Sequence, residues 1–214
     1  MVGTSAVHYD DGIETDSLKY QLGTTRDHTA FEGELVGIIL GTHLATKHPT
    51  IWTSINHSID NQATMGAMQN NSRQPAQYLI DEIHRSTEEL RPFLDDERRQ
   101  DPVHRPRNDT DATHNTSLSF TWVAGHMDLT SNERADALTK EAAEYGSSPE
   151  NSLPIFLRRQ LPISISVIKQ SISTNIKQLT RKWWQKSPRF KKNEAYRPLT
   201  SIEPIPKNNE LTQS

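Results

Sequence analysis

The stretch TWVAGHMDLTSNERADALTKEAAE, Thr121 to Glu144, sets a strand end, a Gly-His turn, a helix start and an early helical Asp side by side. Before it, Leu118, Phe120 and Trp122 alternate as strand residues do, and Gly125 breaks the run. Thr130 and Glu133 have the spacing of a capping box, after which Ala135, Leu138, Thr139 and Ala142 mark the buried stripe of a helix. Asp136 falls off that stripe in an early turn, where the helix dipole favours a negative charge. His126 lies in the turn itself. Taken singly, the His reads as a turn residue and the Asp as a dipole partner, so a chemical role has to come from what surrounds them.

Towards the N-terminus, Val2 to Tyr9 and Asp16 to Gly23 alternate around Asp11-Gly12, which predicts an antiparallel hairpin. Thr29 and Glu32 form another capping-box pair, and Phe31, Leu35, Ile38, Ile39 and Thr42 recur at helical spacing, predicting a helix from about 30 to 46. Gly33, Gly37 and Gly41 stand four apart on it. Each costs about 1 kcal/mol against Ala, so the strip predicts close approach of a sheet. Thr50 to Asp60 has strand character, and helices are expected near 60–69 and 75–94. The charged, Pro-containing segment 95–117 reads as a surface loop.

The 214 residues suffice for one domain with a core and an appendage. No Cys is present, which excludes a disulfide framework and a thiolate metal site. The most apolar run, Leu35 to Ala45, is about half of what a bilayer span needs, so an intracellular setting, cytoplasm or nucleus, is the default. The formal charge of -3 hides an asymmetry: residues 1–156 carry 24 acids against 12 bases, whereas 157–193 carry ten bases and no acid. A basic tail on an acidic body points to nucleic acid or an acidic partner, or is a solvated helix face. The expected organisation is a main domain over 1–146, a linker over 147–163, a basic amphipathic helix over 164–187 and a loose tail over 188–214.

The stretches His28 to Ala45, Ser58 to Met68 and Phe120 to Ala143, in that order, resemble the ribonuclease H type 1 domain, in the version attached to reverse transcriptases of fungal non-LTR retroelements. The resemblance covers roughly residues 2–145, and its most specific block is the one around His126 and Asp136. It implies an α/β fold, a mixed sheet with flanking helices, and an endonuclease that hydrolyses the RNA strand of an RNA-DNA hybrid. It further implies Mg2+, or Mn2+ in its place, held by carboxylates matching Glu34, Asp60 and Asp136, because a hard cation takes oxygen ligands. His126 matches the family's mobile histidine, and Asn61 and Gln62 match amides that reach the minor groove, where RNA shows its 2'-hydroxyls. In the basic tail, Lys182 and Trp183 are candidate phosphate and base contacts, against the plainer alternative of a helix that packs Trp183 on the domain.

The family's first strand, which is central in its sheet and carries the fourth carboxylate, has no match: Val2 to Tyr9 corresponds to the second. Neither Asp10 nor Asp11 is assigned as the missing ligand. Without that strand two edges are left with unpaired backbone groups, each costing on the order of 1–3 kcal/mol when buried, so a stable monomer is not expected. A peptide from elsewhere, such as a reverse transcriptase region, is the expected source of the strand. The alternative function is a catalytically dead remnant that only binds nucleic acid or protein.

Overall fold

The computed structural model describes residues 1–48, 54–59, 61–70, 72–100, 117–123 and 130–189. Strands β1 (Val2–Asp10) and β2 (Ile13–Gly23) form the hairpin that the alternation predicts. Asp10 faces Ile13, and the two turn residues, Asp11 at φ 47° and Gly12 at φ 77°, both adopt the left-handed conformation that a two-residue turn requires. Helix α1 (Ala30–Lys47) starts at a complete capping box: the Thr29 side chain accepts from the Glu32 N–H, and the Glu32 carboxylate accepts from the Thr29 N–H at 2.8 Å.

Helix α1 is buried on nearly every side because it has two partners. Its glycine strip lies on β1: ideal Cβ atoms on Gly33 and Gly37 would meet Val2 and the Gly3 carbonyl, then Thr4 and the Ser5 carbonyl, at 3.0–3.5 Å. Leu35, Val36, Ile39, Leu40 and Leu44 join Leu79, Ile80 and Ile83 of α3 (Gln77–Gln100) in the main core, with Leu18, Tyr20 and Leu22 from β2.

The opposite face of β1 carries α4 (Thr130–Tyr145). Gly3 lets that helix come so close that a Cβ there would sit 2.3 Å from the Thr139 carbonyl oxygen. Ser5 Oγ donates to the Ala135 carbonyl at 2.7 Å. The last carbonyls of α4 are satisfied as well: Gln21 Nε2 donates to Ala142 and Ala143, and the Gly146 N–H closes on Ala142 with Gly146 at φ 93°. β1 is thereby covered on both faces, the even residues Val2 and Thr4 towards α1 and Gly3 and Ser5 towards α4.

Strand β3 (Ser54–Ile59) pairs in parallel with β4 (Ser117–Trp122), in register from Ser54–Ser117 to Ile59–Trp122. Between them in sequence come α2 (Gln62–Gln69) and α3. Among the described residues β1 pairs with β2 alone and β3 with β4 alone, so the protein is a mixed α/β fold with two separate two-stranded sheets. Helix α1 reaches from one to the other: a Cβ on Gly41 would lie 2.9 Å from the His57 ring of β3 and 3.8 Å from Ala6 of β1.

Two expectations need correction. Helix α3 continues to Gln100, so the first part of the segment read as a loop over 95–117 is helical; 101–116 lie outside the described residues. Glu97, Arg98, Arg99 and Gln100 are good helix formers and sustain the helix by propensity without apolar spacing. Residues 147–163, read as a linker, belong to the core: two 3-10 turns, Glu150–Ser152 and Ile155–Arg158, bring Leu153, Leu157 and Leu161 into it. Their start also covers the outer edge of β2, where Ser147 Oγ accepts from the Gln21 N–H, Ser148 Oγ accepts from the Lys19 N–H, and the Ser148 N–H returns to the Lys19 carbonyl. Helix α5 (Ile165–Lys186) matches the expected 164–187, but the boundary between the two compact units falls inside it, after Lys169. Ser164, buried at its start, donates its N–H to the Asp27 carbonyl at 2.8 Å.

Candidate functional site

Glu34 lies in the second turn of α1, immediately after the Gly33 contact with β1, and is half-buried. Asp136 lies in the second turn of α4, immediately after Ala135, whose carbonyl is bonded to Ser5, and is exposed. The two carboxylates thus belong to helices that clasp opposite faces of the same short stretch of β1, Val2 to Ser5. Asp60 and His126 lie outside the described residues, as do the turn around Gly125 and the side chain of Thr130. Among the described residues no group of three or more His, Asp or Glu is arranged to hold a metal ion. The carboxylate donors of Glu34 and Asp136 are of the type that a hard cation such as Mg2+ takes.

Asn61 is the N-cap of α2, its Oδ1 accepting from the Ala63 and Thr64 N–H groups at 2.9 and 3.4 Å. That local role explains why the residue after Asp60 is an Asn without reference to any ligand. Gln62 is the first residue of α2 and is exposed. Lys182 and Trp183 are exposed on α5, with Trp183 at 70 %.

Sequence reading missed a histidine group that the fold assembles where β1 ends. The rings of His8 and His48 stack at 4.9 Å. His8 Nδ1 is 2.6 Å from Thr15 Oγ1, and His48 Nε2 is 3.1 Å from Asp16 Oδ2. Burial would raise the Asp16 carboxyl, but the bonds from His48 and from the Ser17 N–H outweigh it and hold it low. Burial, then the neighbouring His48, lower the basicity of His8. His57 stacks on Phe120, its partner across the β3–β4 ladder, with centroids 5.3 Å apart. Its Nε2 is buried and has no hydrogen-bond partner, and burial, then the nearby His8, push its pKa down to about 4. Nothing local in the sequence marks these histidines as a group, since they come from β1, the end of α1 and β3.

A cavity of about 140 Å³ lies between α2, α3 and β4, lined by Met65, Met68, Ile83, His84, Thr87 and Phe120 among others. It offers no carboxylate and is smaller than a nucleotide pocket. No helix among the described residues is long and apolar enough to cross a membrane. No protein-family model, no curated protein and no solved structure matches the chain.

Proposed function

We propose that the chain is a ribonuclease H-like domain that binds RNA-DNA hybrids and hydrolyses their RNA strand. The observation that carries this reading is the placement of Glu34 and Asp136 on two helices packed on the same residues of β1, one from each face. A second observation supports it: the break between the two sheets falls where the resemblance leaves out a central strand.

In this reading Glu34 and Asp136, with Asp60, would hold Mg2+ or Mn2+, which supplies an activated water and neutralises the leaving 3'-oxygen. The helix bearing Glu34 is fixed by its glycine contact with β1 and the helix bearing Asp136 by the bond from Ser5 to Ala135, so neither helix needs to reorganise on binding. His126 would move a proton or speed product release. Gln62 and Asn61 would read the minor groove; because Asn61 Oδ1 is engaged by α2, that contact falls to its amide nitrogen. The strand between β1 and β3 would come from a separate segment, such as a reverse transcriptase region.

A binding-only role is the second reading, favoured by the break itself, because the resemblance puts the fourth carboxylate on the strand that the described residues lack. Incubating a labelled RNA-DNA hybrid with the chain in Mg2+ and in Mn2+ separates the two. Cleavage that Glu34→Gln or Asp136→Asn abolishes supports the nuclease; binding without cleavage by a folded chain supports the second reading.

A further inference from the structure

Helix α5 bears a continuous, exposed apolar stripe along one side. Ile165, Ile168, Ile172, Ile176, Leu179 and Trp183 are between 43 and 70 % exposed. At 100° per residue they fall within a sector of about 80°, running about 27 Å along the axis. A sector that narrow is the seam of a helix pair; a helix lying in a lipid surface needs a broader apolar face. A lone helix of 22 residues with this composition gains most of its stability from packing, so the stripe needs an occupant.

Charge selects the occupant. The helix carries Lys169, Lys177, Arg181, Lys182 and Lys186 and no acid. Lys169 and Lys182 border the stripe on opposite sides, at the positions that pair across a helix seam. A second copy of α5 would set lysine against lysine there, which disfavours self-pairing. A nucleic acid would meet the lysines but leave four Ile and one Leu in water. We propose that α5 is a docking helix for an acidic amphipathic helix of another protein, with apolar residues at three- and four-residue spacing and Glu or Asp beside them. This role is independent of the nuclease reading.

The probe is a designed heptad peptide with Leu at its seam and Glu on both flanks, together with a twin bearing Lys on the flanks. Fluorescence anisotropy of each labelled peptide is measured against the full chain, alongside phosphatidylserine vesicles and an RNA-DNA hybrid. The acidic peptide is expected to bind saturably and the Lys twin not to bind. Ile172→Asp is expected to weaken binding on the order of 100-fold, a loss typical of a central seam residue. Lys169→Glu with Lys182→Glu keeps the stripe and is expected to shift preference to the Lys twin, which distinguishes loss of docking from loss of the helix. Equal binding of both peptides, no binding of the acidic one, α5-dependent self-association in sedimentation, or vesicle or hybrid binding in its place would overturn the proposal.

Discussion

Replacing Gly3 by Ala tests how β1 is clamped between α1 and α4. The added methyl carbon would stand 2.3 Å from the Thr139 oxygen and 2.6 Å from the Ala143 nitrogen, both backbone atoms of α4. Neither can swing aside as a side chain would, so α4 must retreat by about 1 Å to restore ordinary contact. That retreat would stretch the 2.7 Å bond from Ser5 to Ala135 to a length at which it no longer counts as one. Overpacking costs about 1–3 kcal/mol and the lost bond about 1 more, against a gain of about 0.5 from the stiffer unfolded chain. The net is about 1.5–3.5 kcal/mol, or a fall in thermal midpoint of roughly 3–14 °C for a unit of this size. The control is Gly66→Ala in α2, where a Cβ meets nothing within 4 Å; it should raise the midpoint by a few degrees through helix propensity. Circular dichroism melts of the three proteins decide the matter. An unchanged or raised midpoint in Gly3→Ala, with Gly66→Ala behaving as expected, would refute the packing of α4 on β1.

His57 makes stability depend on pH. Its folded pKa of about 4 lies below the ordinary 6.5, so between these values the unfolded chain binds more protons. The contribution is complete above about pH 6.5 and is lost as pH falls towards 4, to a limit of roughly 3 kcal/mol. Urea titrations at pH 7 and pH 5 should show the drop, and His57→Phe, which keeps a ring on Phe120, should flatten it; an equal slope in both proteins would remove His57 as the cause. Addition of an apolar strand peptide should raise and sharpen the melt of the chain, while a fully cooperative melt without any peptide would defeat the argument that the sheet is incomplete.

The hairpin and α1 were legible because their signals are local: Asp11-Gly12 suits only a tight turn, and the Thr29–Glu32 pair is complete within four residues. The glycine strip was legible too, since three glycines in one helix demand a close neighbour, although only the structure shows Gly41 meeting His57. Segment 147–163 was not, because its Ser and Pro residues read as a linker while Leu153, Leu157 and Leu161, four apart, were outweighed. That Glu34 and Asp136 stand on helices follows from local spacing, whereas their role rests on the resemblance; the histidine group depends on how three distant elements meet, which no spacing records.

The serines at 147 and 148 occupy the outer rim of β2, and among the described residues β1 has no second strand at its own rim. The hairpin is therefore blocked on the β2 flank. Stacking of hairpins into a fibre needs two receptive flanks on each copy, so one blocked flank is enough to stop it.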